Sequence, residues 1–158
     1  MNIVLARIDD RLIHGQVATV WAKRTECERI IVCDDDVAAD SIRATLLKQV
    51  APPGVKSSVV DIEKAIRVYN NPKYEAVKCL LLFTNPTSVL QMVEGGVDIK
   101  TINIGGMSFK EGKRQITGAV SVNDQDVESF KKLNEKGIEL EIRKVDTDKK
   151  VMLMDVLK

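Results

Sequence analysis

Apolar positions recur along the chain with two alternating periods, one typical of buried strands and one typical of amphipathic helices. The strand-like runs are short and rich in Val, Ile and Leu, and most are followed by a segment with apolar residues three or four positions apart. The predicted strands are Ile3–Arg7, Arg29–Cys33, Val55–Val60, Val77–Phe83, Thr101–Ile104, Ile116–Val122 and Ile138–Arg143. One predicted helix carries Ile42, Leu46 and Val50 at four-residue spacing. Strands and helices that alternate in this way predict parallel βαβ units and therefore an α/β fold.

Two of the predicted strands have distinctive patterns. Val77–Phe83 is almost continuously apolar, which is typical of a central parallel strand buried on both faces. Ile138–Arg143 alternates Ile, Leu and Ile with Glu, Glu and Arg, which is the half-exposed pattern of an edge strand. The tail from about Thr147 to Leu157 predicts a last short helix. Because no long linker or repeat interrupts the pattern, we expect residues 1–158 to form a single, open, doubly wound domain with helices on both faces of the sheet.

Composition and charge exclude several function classes. The chain has 158 residues, of which 24 are Lys or Arg and 23 are Asp or Glu. This near-balance gives no electrostatic case for nucleic acid. No apolar run approaches a membrane span, and the first residues lack a signal-peptide pattern. The three cysteines have no C-x-x-C spacing and predict buried, reduced thiols. We therefore expect a cytoplasmic protein.

The densest candidate chemistry lies in the loop after the first strand. The segment Arg7-Ile8-Asp9-Asp10-Arg11-Leu12-Ile13-His14-Gly15 contains the only histidine of the chain and leads into a predicted helix from about His14 to Arg24. In open α/β sheets, ligands bind beyond the carboxyl ends of the strands. The unpaired N–H groups at a helix start also favour an anion. A neutral imidazole at this place is a candidate nucleophile that would carry a phosphoryl group.

The neighbours of this histidine suggest roles in the same chemistry. Arg7 and Arg11 can neutralise phosphoryl oxygens through bidentate hydrogen bonds. Asp10, with Asp9 nearly as good a candidate, can accept the proton on the other ring nitrogen and fix the tautomer. Gly15 has no side chain, which leaves space where a phosphoryl donor must approach closely. Spacing alone leaves a plainer interpretation open, in which the aspartates are helix caps and the arginines are solvated.

Two other classes of protein fit part of the same pattern. A receiver-like signalling domain needs paired acids after strand 1, an aspartate after strand 3, a Thr or Ser after strand 4 and a lysine after strand 5. Asp9-Asp10, Asp61 and Thr84 fit this scheme, but strand 5 ends in Gly105-Gly106 without the lysine. A Mg²⁺ or Mn²⁺ module would use the histidine with aspartates such as Asp34–Asp36, although the nearby arginines oppose a cation.

The run Ala6-Arg7-Ile8-Asp9-Asp10-Arg11-Leu12-Ile13-His14-Gly15-Gln16-Val17 resembles the signature of the IIB component of the mannose/fructose/sorbose family of the phosphoenolpyruvate-dependent sugar phosphotransferase system. The resemblance covers the whole chain, continuing through Asp34-Asp35, Pro52-Pro53-Gly54, Phe83-Thr84-Asn85-Pro86 and Asn103-Ile104-Gly105-Gly106-Met107. It implies a phosphotransferase that accepts a phosphoryl group from a phosphohistidine of a IIA partner onto His14. It also implies transfer of that group to a sugar imported through the IIC and IID membrane components, with no cofactor and no metal. Such a protein is cytoplasmic and would sit at the inner face of the membrane through IIC and IID.

The resemblance also implies a topology and a set of site residues. The family sheet is mostly parallel, with about seven strands in the order 3-2-1-4-5-6-7 and one strand antiparallel. In this order the His14 loop and Thr84-Asn85-Pro86 face each other across the crevice. Arg11, Asp10 and Arg7 would assist His14, whose Nδ1 carries the phosphoryl group in this family. The expected phosphate- or partner-binding residues are Gly15, Gln16, Thr84, Asn85, Gly105, Gly106 and Met107, and a partner surface would include Leu12 and Ile13.

Overall fold

Strands and helices alternate along residues 1–157, the part of the chain that the computed structural model describes. The strands are β1 (Asn2–Asp9), β2 (Arg29–Cys33), β3 (Lys56–Val60), β4 (Lys78–Phe83), β5 (Thr101–Gly106), β6 (Arg114–Gln115), β7 (Ser121–Val122), β8 (Glu139–Ile142) and β9 (Val151–Met152). The α-helices are α1 (Ala22–Thr25), α2 (Asp35–Ala39), α3 (Ser41–Gln49), α4 (Ile62–Asn70), α5 (Pro86–Glu94), α6 (Asp124–Glu135) and α7 (Leu153–Val156). A π-helical segment, Val17–Trp21, runs directly into α1, and a 3₁₀ helix spans Pro72–Tyr74.

Seven of these strands form one sheet in the order β3-β2-β4-β1-β5-β8-β9. Every neighbouring pair is parallel except β8 and β9. The strands β6 and β7 form a separate antiparallel pair beside the loop after β5. The predicted α/β class, with a mostly parallel sheet of seven strands and one antiparallel strand, is confirmed.

The strand order differs from the expected 3-2-1-4-5-6-7 in two places. β4 lies between β2 and β1 and pairs with both, because its almost wholly apolar run is buried on both faces and suits the middle of the sheet. The predicted strand Ile116–Val122 contributes only β7 to the small sheet. The antiparallel member of the large sheet is β9, in the tail, where the predicted last helix is present as the single turn α7 after it. Consequently β8 is covered by β9 and is not the edge strand that its alternating pattern predicted.

Helices cover both faces of the large sheet, as the doubly wound prediction requires. One face packs against α4, α5 and α6, with Phe83, Val89 and Phe130 in its core. The other face packs against the helical segment after β1 and against α2 and α3, with Trp21 and Leu82 in its core. The residues that follow β1 therefore leave the sheet on the opposite side from those that follow β5.

The helix α3 packs differently from its sequence pattern. Ile42, Leu46 and Val50, whose four-residue spacing predicted the helix, are all exposed. Ala44 and Leu47 face the sheet in their place. The side chain of Asp40 accepts a hydrogen bond from the N–H of Arg43 and caps the start of the helix.

Burial also accounts for the cysteines. Cys27, Cys33 and Cys79 are free and buried, as predicted. Burial raises the pKa of each thiol, and a protonated buried thiol is unreactive. Within residues 1–157, no helix is long and apolar enough to cross a membrane.

Candidate active site

The loop from the end of β1 to the first helical segment makes a tight turn that places His14 above the carboxyl end of β1. The N–H of Leu12 donates to the carbonyl of Asp9 at 2.9 Å. Leu12 has a φ of 62°, a left-handed conformation that is unfavourable for a residue with a branched side chain. Its side chain is fully buried in the core, and this burial holds the strained turn in place. Ile13 is buried as well, so neither residue forms the partner surface that the sequence suggested.

Asp9, and not Asp10, contacts the histidine ring. Nε2 of His14 lies 2.9 Å from Oδ2 of Asp9, whose side chain is 0% exposed. Asp10 points the other way, and its carboxylate accepts hydrogen bonds from the N–H and Oγ of Ser108, at 2.7 and 2.9 Å. Successive strand side chains point to opposite faces, so a one-residue difference decides which aspartate meets the ring. The sequence favoured Asp10, and the geometry corrects this to Asp9.

Asp9 is held as a carboxylate by the groups around it. Its Oδ2 accepts from Nη2 of Arg7 at 3.0 Å and from Nη2 of Arg11 at 2.9 Å. Burial alone would raise the pKa of Asp9, but hydrogen bonds from Arg11 and His14 and the charge of Arg7 outweigh it and hold the pKa below its usual value. An ionised carboxylate only accepts hydrogen bonds. The proton of neutral His14 therefore lies on Nε2, and Nδ1 keeps a free lone pair.

The two arginines have different places around this carboxylate. The side chain of Arg11 is 46% exposed and forks onto Asp9 through Nε and Nη2, which raises its pKa. Its remaining N–H groups are available to an anion that arrives beside His14. Arg7 is fully buried beneath Asp9. Arg7 therefore supports the carboxylate from below and does not reach a phosphoryl group on the ring, contrary to its predicted direct role.

The glycines after β5 lie against this cluster. A Cβ added at Gly105 would collide with Nη2 and Cζ of Arg7 and lie 2.7 Å from its Nε. A Cβ at Gly106 would make ordinary contacts of 3.5 Å with Arg11 and Asp9. Around Gly15 the space is open, with no heavy atom within 4 Å of an added Cβ. Gly105 is therefore required by close packing, and Gly15 leaves room for a large group to approach.

We expect Gly105→Ala to lower the free energy of unfolding by about 2–3 kcal/mol, in the upper range for an over-packed interior. The guanidinium of Arg7 cannot move aside without leaving its buried charge unpaired. Urea unfolding measures the effect, and Gly106→Ala is the matched control, because its methyl group fits without displacement. Equal stability of the two variants would contradict the described packing of Arg7 on Gly105.

Thr84 and Asn85 follow β4 and lie in a cleft that reaches the His14 loop at Asp10. Oγ1 of Thr84 donates to Oδ2 of Asp34, and Nδ2 of Asn85 donates to Oγ1 of Thr84 at 3.1 Å. Oδ1 of Asn85 accepts from the N–H of Ser88 at 2.9 Å and so caps α5. These residues line a polar cleft of about 430 Å³ beyond the ends of β2 and β4. Asp10 of the His14 loop lines the same cleft, because β1 and β4 are neighbouring strands, whereas the ring of His14 itself does not line it.

The loop after β5 forms another cleft with the His14 loop, on the other side of β1. A cleft of about 240 Å³ separates the His14 loop from Gly105 and Gly106 and is also lined by Arg11 and Lys144. It opens between β1 and β5 because the chain leaves these neighbouring strands on opposite sides of the sheet, which is where the topology rule places a ligand. Met107 borders the cleft, but its side chain is buried. Gln16 lies at the start of the helical segment, next to His14.

Sequence reasoning missed a buried polar row behind the histidine. Asn103, Glu141 and Arg143 connect to the far side of Arg7 through hydrogen bonds. One signal was available, because Asn103 stands between Ile102 and Ile104 in a strand that is otherwise apolar. Glu141 gave no such signal, since an alternating strand places its charged residues on the solvent side.

The residues that supported the rival classes have structural roles. Asp61 caps α4 by accepting from the N–H of Lys64 at 2.7 Å. It follows the edge strand β3, with β2 and β4 between it and β1, so it cannot join Asp9 in a receiver-like acidic pocket. Asp34 caps α2 through the N–H of Val37. Among residues 1–157, no group of three His, Cys, Asp or Glu side chains is placed to hold a metal ion.

Comparison with known proteins gives consistent matches over the whole chain. A family model described as the PTS system sorbose subfamily IIB component matches residues 3–158. The chain is 63% identical over 157 residues to the PTS system mannose-specific EIIAB component of Escherichia coli K12, covering 99% of this chain and 49% of that protein. It is 54% identical over 155 residues to the PTS system sorbose-specific EIIB component of Klebsiella pneumoniae, covering 98% and 94%. The chain thus spans about half the length of the mannose-specific relatives that it matches.

Solved structures agree with these matches. The IIBSor domain of the sorbose permease from Klebsiella pneumoniae superimposes with a TM-score of 0.96 at 53% identity, covering 99% of this chain and 96% of that one. The PTS system N-acetylgalactosamine-specific IIB component 1 from Escherichia coli gives a TM-score of 0.87 at 37% identity, covering 96% and 99%. The chain therefore shares its fold with solved IIB structures.

Proposed function

Because this chain belongs to the sorbose subfamily of IIB components of the sugar phosphotransferase system, we propose that it carries a phosphoryl group on His14, accepted from a phosphohistidine of a IIA partner and passed on to a sugar. The single observation that carries this proposal is the contact between Nε2 of His14 and the buried carboxylate of Asp9. This contact holds the ring proton on Nε2 and leaves Nδ1 as the nucleophile. The ring is 20% exposed, so a second protein can reach it.

The chemistry needs positioning and charge more than covalent assistance. In the first step the lone pair of Nδ1 forms a bond to phosphorus, while the phosphorus–nitrogen bond of the donor histidine breaks and its electron pair stays on the donor ring. The positive charge that develops on the ring of His14 is balanced by Asp9 through the Nε2–H. Arg11, exposed beside the ring, stabilises the phosphoryl oxygens. The N–H groups at the start of the helix, near Gly15 and Gln16, add hydrogen bonds to the same oxygens.

In the second step a sugar hydroxyl oxygen bonds to phosphorus, the bond to Nδ1 of His14 breaks, and the hydroxyl proton is released to solvent. The sugar arrives through the IIC and IID membrane components. Fusion of a IIA part to a IIB part in the mannose-specific EIIAB relative supports the IIA partner. On this proposal residues 1–158 form one IIB domain that acts in the cytoplasm, at the inner face of the membrane when IIC and IID are engaged. The chemistry asks for no cofactor or metal of its own.

The proposal is tested by incubating the full chain with a phosphorylated IIA protein that carries labelled phosphate. We expect one phosphate per chain, in a linkage that acid destroys and alkali preserves, because phosphohistidine has this stability. An acyl phosphate on an aspartate, as in a receiver-like domain, would be destroyed by alkali. An alkali-labile linkage, or no transfer from any IIA protein of the family, would reject the proposal.

A further inference from the structure

A buried polar row continues from Asp9 into the sheet, away from His14. Arg7 of β1, Asn103 of β5 and Glu141 of β8 occupy paired positions on neighbouring parallel strands. All three side chains are buried, and Glu141 is only 1% exposed. A buried carboxylate is costly unless it is paired and hydrogen-bonded. The proposed transfer uses none of the three directly, so the row needs another explanation.

The hydrogen bonds fix the direction of every link in this row. Oε1 of Glu141 accepts from Nδ2 of Asn103 at 3.0 Å, which turns Oδ1 of Asn103 toward Arg7. Nη1 of Arg7 donates to that oxygen, and its Nη2 donates to Oδ2 of Asp9 at 3.0 Å. The same Oδ2 meets Nε2 of His14. Because a carboxylate cannot donate and a guanidinium cannot accept, the donor and the acceptor of each hydrogen bond from Glu141 to the ring are fixed.

Groups outside the row also contact Glu141 and Arg7. Arg143 donates to both carboxylate oxygens of Glu141, at 2.9 and 3.0 Å, and this pairing raises the pKa of Arg143. The carbonyls of Arg143 and Lys144 accept from Arg7 at 3.1 and 3.2 Å. The ring of Trp21 lies 5.3 Å from the guanidinium carbon of Arg7. Arg7 is therefore fixed from several directions. The amide of Asn103, its partner in the row, is oriented by Oε1 of Glu141 at 3.0 Å and, at the longer distance of 3.3 Å, by the carbonyl of Arg143.

We propose that Glu141 is a positioning residue that, through Asn103 and Arg7, holds the Asp9 carboxylate in the orientation that keeps the proton of His14 on Nε2. The effect of Glu141 on the transfer rate rests on the proposed phosphoryl-carrier function. Its effect on the position of the ring proton can be measured in the unphosphorylated chain and does not depend on that function. A glutamine at position 141 can donate as well as accept. Because it has one oxygen where Glu141 has two, its Nε2 faces either Nδ2 of Asn103 or Nε of Arg143, and both of these are donors. The amide of Asn103 then keeps only the carbonyl of Arg143, at 3.3 Å, as a partner of its Nδ2, and Arg7 shifts away from Asp9 as that amide moves.

The test is Glu141→Gln in the full chain, followed by ¹⁵N NMR of the ring of His14. This is the only histidine in the chain, so its ring signals are unambiguous. In the wild type we expect an exchange-protected N–H signal at Nε2. In the variant we expect this signal to be lost or broadened and the phosphoryl-transfer rate to fall about tenfold, as when the outer partner of a functional histidine is removed.

Asp126→Asn is the matched control. Asp126 is also a buried carboxylate, paired with Nζ of Lys113 at 3.3 Å, but it caps α6 and has no link to the row. We expect this control to lose stability and to keep both the ring signal and the transfer rate. Asn103→Ala breaks the row at its middle link and serves as a second variant, with thermal unfolding to verify that each protein is folded.

Loss of the ring signal in the two row variants, with the control unchanged, supports the proposal. An unchanged Nε2–H signal in folded Glu141→Gln or Asn103→Ala overturns it, even when the wild type accepts phosphate normally. A wild-type chain that accepts no phosphate rejects the carrier function instead, and the ring signal alone then decides whether Glu141 positions the histidine.

Discussion

Replacing His14 with alanine is expected to abolish phosphoryl acceptance from phosphorylated IIA, by at least about a thousandfold, as when an enzyme loses its nucleophile. The chain holds no second histidine that could take over the group. The ring is partly exposed, and within residues 1–157 its side-chain hydrogen bond is to Asp9. The variant should therefore fold normally, which separates loss of chemistry from loss of structure.

The measurement is transfer of labelled phosphate from the IIA protein, with circular dichroism to follow the fold. Thr19→Ala is the matched control, because Thr19 lies on the exposed side of the same helical segment, one turn after His14. The control should accept phosphate at the wild-type rate. A folded His14→Ala chain that is labelled as well as the control would refute the central role of this residue.

The second large effect is expected at Asp9. We expect Asp9→Asn to slow transfer by about a hundredfold or more, since an amide no longer enforces the ring tautomer, and loss of that control is costly where a carboxylate orients a catalytic histidine. The same change leaves Arg7 buried without its anion. Breaking a buried pair in this way should lower the free energy of unfolding at neutral pH by about 3–5 kcal/mol. Transfer assays and urea unfolding measure the two effects.

The stability difference should depend on pH in a defined direction. The pKa of Asp9 is lowered in the folded chain, so its ionised form contributes stability that is fully present above the unfolded value of about 3.9. This contribution is lost as the pH falls through the lower, folded pKa. The gap between wild type and Asp9→Asn should therefore narrow below about pH 4. A gap that widens on acidification would show that Asp9 is not held as a carboxylate.

Asp10→Asn is the matched control for this prediction, because Asp10 is adjacent to Asp9 in sequence but is only partly buried and has other hydrogen-bond partners. Asp10 joins Ser108 across to the loop after β5 and leaves the ring untouched. We expect a transfer rate within about threefold of wild type and a loss of stability of about 1 kcal/mol, typical of one exposed hydrogen-bonded carboxylate. Slower phosphoryl transfer in Asp10→Asn than in Asp9→Asn would show that Asp10, and not Asp9, orients His14.

Local patterns predicted the parts of the fold that depend on local physics. The apolar period located the strands before and after the histidine, and the position of His14 at the carboxyl end of β1 followed directly. The choice between Asp9 and Asp10 could not be made in this way, because it depends on the pleat at the last residue of a strand. A one-residue uncertainty at that boundary reverses the direction in which a side chain points.

Features that depend on distant parts of the chain were not predictable from periodicity. The alternation in β8 placed Glu141 on the solvent side, yet β9 and Arg143 cover it in the folded chain. The strand order depends on which of several apolar strands occupies the centre, and β4 occupies it because both of its faces are buried. The hydrogen bond of Thr84 was not predictable for the same reason, since its partner Asp34 is fifty positions away in the sequence.

Trp21 is the only tryptophan of the chain, and its indole Nε1 donates to the carbonyl of Lys144 at 2.8 Å. Its ring centre lies 5.3 and 5.5 Å from the guanidinium carbons of Arg7 and Arg143. Charges so close to an indole shift its excited state, and the interior screens them weakly. The intrinsic fluorescence of the unlabelled chain therefore comes from one site against the charged row behind His14. It offers an optical signal for following phosphoryl arrival as it happens.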